Sequence, residues 1–423
     1  MICISGQKQQ TASLLNSIFD KQVNEMETKK VDIAIVGAGP AGLSLALSLA
    51  HSGLKIALLE QQALSKIAKP EFDGRDIALT HLSKTILIEL GVWKHVPQHA
   101  IHHIKEAKVI NGPLSDFNNA SSCLHFERSD GPDAPLGYLI ANYQIRQALY
   151  QQLIEHPNIE LMCEQKVQTI EIVSDQAQLT TQELKLDTTL LVASDSRFSS
   201  ARRLMGLTAK MKDFGKVMIV CNMKHQLSHE HTAQECFQYD RTCAILPLGE
   251  SESSIVITVN ASESERLLAL DDNRFNLEVE QMLATRLGKM SLISQRTAYP
   301  LIGVMSDRFI AKSFALIGDA AVGMHPVTAH GFNLGLRSAD TLAQLIVKAQ
   351  KQGKDIASRR LLLEYEARHK LLSKPLYEAT NKIVALYTNP SPLAKVMRKT
   401  GITLGNQFLP FKKLVTHRLT QIR

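Results

Sequence analysis

The sequence predicts an α/β fold in which a βαβ unit of a parallel sheet is joined to a mostly antiparallel β-sheet and a helical C-terminal region. Three observations lead there. Residues 31–60 read as strand, glycine-rich turn, helix and strand. After residue 60 the helix–strand alternation that would extend such a unit stops. Far downstream, a second buried-type strand ends in Gly318-Asp319 and leads into a long helix.

The first strand and its turn are Val31-Asp-Ile-Ala-Ile-Val-Gly-Ala-Gly-Pro-Ala-Gly42, and Lys55-Ile-Ala-Leu-Leu-Glu60 is the second strand. Between them, Pro40 to Ser52 is a helix rich in Leu and Ala, closed by Gly53. In such a unit Gly37 makes the tight turn, Gly39 lets the backbone approach a pyrophosphate, and Gly42 lets the helix pack closely on the sheet. The helix N-terminus faces the phosphates with free N–H groups and the positive end of its dipole. Glu60 stands where an acid accepts the ribose hydroxyls of an adenosine. Together these residues imply a bound dinucleotide without saying which one.

Gln61 to Thr80 reads as a loop containing Pro70 and Phe72-Asp-Gly-Arg-Asp76, followed by a short helix from about Ser83 to Leu90 that Gly91 ends. Residues 104–137 are strands and loops with turn signals at Asn111-Gly112-Pro113 and Gly131-Pro132. Asn142 to Ile154 is a helix, 159–192 alternates like a hairpin and a return strand, and 215–260 is strand-rich, most clearly from Ile255 to Val259. Phe314 to Ile317 is a buried strand. Phe332 to Ala349 is a long helix whose Leu342, Leu345, Ile346 and Ala349 keep 3–4 spacing, with Gly353 past its end. The expected organisation is a disordered extension over 1–29 and a discontinuous cofactor domain over 30–105, 139–205 and 296–355. The substrate sheet takes 106–138 and 206–295, and a helical region fills 356–423. Met26 is an alternative start to Met1.

The 423 residues suffice for two intimately joined domains, and 44% hydrophobic with 21% charged content is ordinary for a globular chain. No apolar run is long enough to span a membrane. The six cysteines form no CxxC pair and read as reduced cytosolic thiols. The formal charge of +7 has a location: from Ile383 onward there is no acid, while Lys395, Arg398, Lys399, Lys412, Lys413, Arg418 and Arg423 supply the whole excess. A nucleic-acid binder more often spreads its charge over a face of the fold. A basic tail points instead to an acidic partner or an anionic membrane surface. After Pro410, Phe411, Leu414, Val415, Leu419 and Ile422 fall at helical spacing, as in a basic amphipathic helix lying on a bilayer or packed on a partner. His99, His102 and His103 lack zinc spacing and read as a surface edge, and no metal is expected.

Two further motifs carry chemistry. In Ala315-Leu-Ile-Gly-Asp-Ala-Ala-Val-Gly-Met-His-Pro-Val-Thr-Ala-His-Gly-Phe-Asn-Leu-Gly-Leu336, Asp319 at the strand end can accept hydrogen bonds from a sugar chain. The helix opening near Asn333 can stabilise negative charge. In Leu190-Leu-Val-Ala-Ser-Asp-Ser-Arg-Phe-Ser-Ser-Ala-Arg-Arg203 a strand ends at Asp195; Arg202 and Arg203 either contact phosphate or close a salt bridge.

Together the three motifs resemble the single-component, FAD-dependent aromatic hydroxylases, and within them the ubiquinone-biosynthesis hydroxylases, on the demethoxyubiquinol hydroxylase side. The resemblance covers about 30–390 and extends to Phe72-Asp-Gly-Arg-Asp-Ile-Ala-Leu-Thr80. It implies an FAD-binding Rossmann-like domain of the aromatic hydroxylase type. Gly37, Gly39, Gly42 and Glu60 would hold the ADP half, and Arg75 would lie near the flavin and pyrophosphate. Asn142 and Arg146 would touch the ribityl region, Gly318 and Asp319 would meet the ribityl hydroxyls, and Asp195 would serve both FAD and NAD(P)H. Pro326, Gly331 and Asn333 would line the flavin ring. Two departures stand out. The usual Gly-Ala-Asp-Gly is here Ala193-Ser-Asp-Ser196, which puts the nicotinamide role in doubt. The usual Ala-Gly-Gln-Gly is Thr328-Ala-His-Gly331. His330 and Pro326 are therefore the candidate catalytic positions, His330 as a proton shuttle or as a substitute for the glutamine contact. His325 reads as a packing or hydrogen-bonding residue rather than a base.

The implied reaction has NAD(P)H reduce the FAD and O₂ form a C4a-hydroperoxyflavin, which hydroxylates a polyprenylated phenol or quinol in a water-excluding pocket. The implied location is the cytoplasm, peripheral on the inner face of the membrane, at the bilayer or in a ubiquinone-biosynthesis complex. The alternatives are another FAD oxidoreductase of lipids, such as an epoxidase or prenyl reductase, and a non-enzymatic prenyl-lipid-binding protein.

Overall fold

In the computed structural model, residues 28–112, 123–127, 135–238, 241–326 and 330–389 are described, together with 391, 393, 394, 396–398, 400 and 401. The expected amphipathic tail after Pro410 and most of the N-terminal extension lie outside the described residues. The extension is also shorter than the sequence indicated, because Thr28 and Lys29 already pair with Lys185 and Leu186.

The strand Thr28–Val36 is central to a sheet of the parallel, doubly covered kind. Lys185–Ala193 and Ile56–Leu59 flank it in parallel, and Phe314–Leu316 and Ile159–Met162 lie outside these, also parallel. The hairpin Thr169–Val173 and Gln176–Thr180 adds to Lys185–Ala193 antiparallel. Ile33, Ala34, Ile35, Leu190, Leu191 and Val192 are fully buried, as expected of strands with helices on both faces. The helix Pro40–Ser48 starts on Gly39 with Pro40 in its first turn, where the missing N–H costs nothing. It ends four residues earlier than expected. Leu49 and Ala50 donate to Ala46 and Leu47, so the last turn tightens before Gly53 reverses the chain at φ +79°. The helix His330–Lys351 packs on Pro40–Ser48 and on the long helix Arg359–Thr388, which contains Pro375.

The second sheet has nine strands. Val322–Gly323, Thr297–Ser306, Ala209–His225, Glu252–Asn260, Thr242–Pro247, Thr232–Phe237, Glu106–Asn111 and Cys123–Glu127 follow in order, and Met290–Leu292 pairs with Ala209–His225. All neighbours are antiparallel except Thr232–Phe237 with Glu106–Asn111. The helices Ala261–Ala269 and Asp272–Met282 cover one face over Ile219, Cys221, Cys236, Cys243 and Ile257, with Phe275 of the second helix buried against them. The cysteines at 221, 236 and 243 are buried filler, and burial pushes the Cys221 and Cys236 thiols up to about 12.

One boundary moves. Thr297–Ser306, assigned above to the cofactor domain, pairs with Ala209–His225 from Ala209↔Ser306 to Val220↔Thr297 around a bulge. Pro300 and Gly303 interrupt its alternation and hide its strand character in the sequence. A third, three-stranded sheet of Asp76–Leu79, Gly137–Ala141 and His102–Ile104 fills the seam between the two large ones. Among the described residues no helix is long and apolar enough to cross a membrane.

Candidate cofactor site

The glycine turn is shaped by what lies behind it. Gly37 has φ +104°, and a Cβ there would stand 2.7 Å from the Asp195 Cα and 2.8 Å from the Ser194 carbonyl. At Gly42 a Cβ would stand 2.0 Å from the Gly37 carbonyl oxygen, so the helix lies directly on the turn. The Ser194 hydroxyl donates within reach of the Gly37 carbonyl, at 2.8 Å, and of Val36, at 3.0 Å. The strand end of the second motif thus buttresses the first. Gly39 differs: nothing lies within 4 Å of its Cβ position. Open space beside a helix N-terminus is what a phosphate group needs, so the chain fits a dinucleotide here. Glu60 accepts from Ala38 N at 2.8 Å and Gln62 N at 2.9 Å, which fixes its carboxylate beside the turn.

Arg75 is held by Asp73 through Nε at 2.9 Å and Nη2 at 2.6 Å. The same Asp73 oxygen accepts from Asn142 Nδ2 at 2.7 Å, and the Tyr299 hydroxyl donates to the Asp73 carbonyl at 2.7 Å. Asp73, which sequence reasoning did not single out, is the hub that joins Arg75 to the buried Asn142. Burial pulls the Arg146 guanidinium down, while the Asp73 and Glu60 carboxylates hold it up. Glu60, Asp73, Arg75, Asn142 and Arg146 therefore share one rim.

Asp195 Oδ2 accepts from Ser200 N at 2.7 Å and Ala201 N at 3.3 Å, the first two N–H groups of the helix Ser200–Leu204, which Ser199 caps. Its Oδ1 is buried without a partner. Neither arginine of the pair does what the sequence suggested. Arg202 is buried and donates to the Ala320 carbonyl at 2.8 Å and to Arg197 O at 3.1 Å, and Arg203 donates to Phe198 O at 2.9 Å. The cation that matters is Arg197, passed over in the sequence. It bridges Asp319 Oδ2 at 3.1 Å and Ile302 O at 3.0 Å. Only its position between two strand-end acids signalled it.

The third motif meets the first. Gly318 has φ +58°, a Cβ there would stand 2.9 Å from Ala41 Cβ, and Gly335 approaches the Gly318 Cα. The Gly318-Asp319 turn, the start of the first helix and the helix His330–Lys351 thus converge. Asn333 corrects an expectation. Its Nδ2 donates to Ala78 O at 2.8 Å, while Oδ1 accepts from Ser83 Oγ at 2.6 Å and Thr80 N at 3.1 Å. Its side chain staples the helix start to Asp76–Leu79 and to the helix His81–Glu89, so what it leaves toward a flavin ring is backbone. Pro326 is exposed and His330 half-buried; 327–329 lie outside the described residues. His325 is buried edge-on against Phe214 at 4.8 Å, and burial with the nearby Lys212 charge pushes it down to about 4. It is neutral near pH 7 and packs on the Phe214 ring.

One face of the large sheet forms an apolar wall toward this site, with Met218, Val220 and Leu301 buried and Phe214, Val256 and Tyr299 beside them. A Cβ at Gly74 would meet Val220 Cγ2 at 2.8 Å, so the Arg75 loop rests on that wall. Glu106, His125 and Glu127 come close enough to suggest a metal, but Glu106 is bonded to His125 at 2.9 Å and has the Lys108 ammonium at 3.3 Å.

Comparison with known proteins agrees with this geometry. The family described as FAD binding domain matches residues 30–380. Ubiquinone hydroxylase UbiM of Neisseria meningitidis is 45% identical over 394 residues, 92% of this chain and 84% of that protein. Ubiquinone hydroxylase UbiL of Rhodospirillum rubrum is 29% identical over 387 residues, 91% of this chain and 88% of that protein. Among solved structures, p-nitrophenol 4-monooxygenase PnpA from Pseudomonas putida superposes with a TM-score of 0.72 at 18% identity, over 93% of this chain and 98% of that one. That likeness concerns the fold.

Proposed function

From a chain that belongs to the FAD binding domain family and aligns with ubiquinone hydroxylases over nearly its whole length, we propose an FAD-dependent monooxygenase that hydroxylates the ring of a polyprenylated phenol or quinol in ubiquinone biosynthesis. The observation that carries this reading is the convergence of the Gly37 turn, the Gly318-Asp319 turn and the start of the helix His330–Lys351. A nicotinamide dehydrogenase has no use for the last two.

FAD held here would supply the redox chemistry that couples NAD(P)H oxidation to the reduction of O₂, with one oxygen atom going to the ring and the other to water. The chain supplies the rest. Gly37, Gly39, Gly42 and the helix N-terminus receive the pyrophosphate, Glu60 the adenosine ribose, and Asn142, Arg146, Gly318 and Asp319 the ribityl side. Arg197 orients Asp319 through a contact of 3.1 Å. Arg75, with its guanidinium 5.4 Å from the Tyr299 ring centre, closes the loop over the phosphates. Asp195 fixes the segment behind the glycine turn. The N-terminus of the helix beginning at His330 offers its positive end to negative charge on the ring, and Asn333 holds that helix start in register. Pro326 and Gly331 border the ring, with His330 beside them. His325 and Phe214 exclude water behind Pro326, and the wall of Met218, Val220 and Leu301 receives the aromatic ring and prenyl chain.

Such a substrate resides in a bilayer, and we place the protein in the cytoplasm, peripheral on the inner face of the membrane. The acid-free stretch from Ile383 supports this. So do Leu393, Val396 and Met397, which are 71%, 61% and 53% exposed on the same face of a helical segment. Removing 390–423 should abolish binding to anionic liposomes; unchanged binding sinks the membrane part. The activity is tested by expressing the chain in strains each lacking one ubiquinone hydroxylation step and analysing their quinones. Restored ubiquinone in at least one strain is expected. Restoration in none, from a protein that contains FAD, overturns the reading.

A further inference from the structure

Glu235 stands on the face of the large sheet that carries the apolar wall. Val220 pairs with Val256, Val256 with Ala244 and Ala244 with Glu235, so these residues cross the sheet in one row on one face. Two residues away on either side of Glu235 that face is covered. Ala233 packs against the cluster that contains Ile104 and Leu139 of the three-stranded sheet, and the Phe237 ring lies 4.1 Å from that of Tyr387 on the helix Arg359–Thr388. Between these covers Val256, Thr242 and Glu235 all keep accessible surface. Strands flank Glu235 on both sides and protein packs densely around its carboxyl, so that surface opens inward, onto the wall, rather than to the outside. The Thr242 hydroxyl donates to the carboxyl, and among the described residues no charged side chain acts on it. The titratable groups around it are Cys236 and Cys243 on the opposite face, Tyr387 with Arg398 beyond Phe237, and Tyr299 at the far end of the wall. One hydroxyl does not satisfy both oxygens of a carboxyl group, and a polar group set in an apolar surface calls for a further partner.

We propose that the Glu235 carboxyl, oriented by Thr242, hydrogen-bonds a ring oxygen of the phenolic substrate. This deepens the reading of the chain as a phenol hydroxylase and rests on it. Neighbouring strands stand about 4.8 Å apart, so the three steps from Val220 to Glu235 span roughly 14 Å. Val220 underlies Gly74, next to Arg75. A ring resting on Val256 and Ala244 fills the middle of that span, with one edge toward the Arg75 loop and the opposite substituent at Glu235. Burial in the apolar wall pushes the Glu235 carboxyl up to about 8, against the pull of the Thr242 hydroxyl. At pH 7 it is therefore a neutral acid, which donates a hydrogen bond to a phenol, quinol or ether oxygen without giving up its proton. Above pH 8 it is a carboxylate, which accepts from a hydroxyl and repels an ether oxygen. Glu235 thus sets which oxygen pattern the ring presents at the edge remote from the Arg75 loop.

The test uses the FAD-loaded full chain and follows the flavin absorption spectrum during titration with 2-prenylphenol, with its O-methyl ether and with prenylbenzene, which has no ring oxygen. At pH 7 the wild type should bind both oxygenated rings about three- to tenfold more tightly than prenylbenzene, the scale of one hydrogen bond. Between pH 7 and 9 the ether should lose that advantage around a midpoint near 8, while the phenol keeps it by donating to the carboxylate. Glu235→Leu, which leaves the wall wholly apolar, should bring the three ligands level at every pH. Glu235→Gln, a neutral donor throughout, should keep the ether advantage and lose its pH dependence, a change that a merely structural role would not produce. Glu235→Leu retaining the wild-type ratios, or a wild-type ether ratio that stays flat from pH 7 to 9, overturns the proposal. If Glu235→Leu does not hold FAD, the Glu235→Gln profile decides, and a surviving midpoint near 8 overturns the proposal. A chain that restores ubiquinone in a deficient strain while Glu235→Leu keeps the wild-type ratios overturns this inference alone. One that holds FAD and restores it in no strain overturns the functional reading as well.

Discussion

Exchanging Gly39 for alanine should separate folding from cofactor binding. Gly39 has φ −74° and ψ 177°, backbone that alanine adopts freely, and no atom lies within 4 Å of the added methyl. Alanine is a poorer N-cap than glycine by about 0.5–1 kcal/mol, and it lowers the entropy of the unfolded chain by a similar ~0.4–1 kcal/mol. The folded apoprotein should therefore melt within about 1 °C of wild type. The methyl, however, fills the space left for phosphate. Weakening even one charge-assisted hydrogen bond costs ~1.5–3 kcal/mol, or about ten- to a hundredfold in FAD affinity. Gly42→Ala is the control with the opposite signature. Its methyl would sit 2.0 Å from the Gly37 carbonyl, the helix must lift from the turn at a cost of ~3 kcal/mol, and the melting temperature should fall by roughly 3–4 °C in a chain of this length. The assay measures FAD content at 450 nm, affinity by quenching of free FAD fluorescence, and apoprotein melting. Gly39→Ala protein binding FAD as tightly as wild type would refute the placement of the pyrophosphate at this turn.

Asn333→Ala removes three hydrogen bonds and strands Ala78 O and Thr80 N, so stability should drop by ~2–4 kcal/mol. Asn333→Asp keeps the acceptor and should recover part of the loss in denaturant unfolding. His325 and His369 are each pushed from 6.5 down to about 4, His325 by burial and Lys212, His369 by burial and Arg337. Their folded pKa lies below the unfolded value, so stability is full above pH 6.5 and falls toward pH 4. Comparing urea midpoints at pH 7.5 and 5, His369→Phe should shrink the acid loss. The buried Arg398 donates to the carbonyls of Leu386, at 2.6 Å, and Asn389, at 2.7 Å. Arg398→Ala should speed tryptic cutting near residues 382–400 while FAD content stays unchanged.

The glycine unit and the Gly318-Asp319 strand were legible because each is local: a short run of residues with the right order of strand, turn and helix. What stayed hidden joins distant residues. Asn142 meets Asp73 across 69 positions, Arg197 meets Asp319 across 122, and Asn333 meets Thr80 across 253. Periodicity and spacing carry no signal for such pairs. Asn333 shows the consequence most plainly. The family resemblance implied a place along the flavin ring, and its amide is bonded to two other elements that no spacing in the sequence ties to it. Thr297–Ser306 failed for another reason: Pro300 and Gly303 mask a period that pairing with Ala209–His225 restores.

The Ser194 hydroxyl, bonded to the Gly37 carbonyl, has a bearing on biogenesis. The turn that receives the nucleotide is completed from behind by a segment 157 residues later, and from the side by Gly318 against Ala41. A ribosome-bound chain that has only its first βαβ unit exposed therefore owns the sequence of a nucleotide fold without its shape. Flavin loading must wait until translation has passed Gly335. Until then the early strands wait for late partners, an interval in which long-range pairing is slow and aggregation competes. Scarcity of flavin during expression should thus surface as insoluble protein rather than as soluble, colourless enzyme.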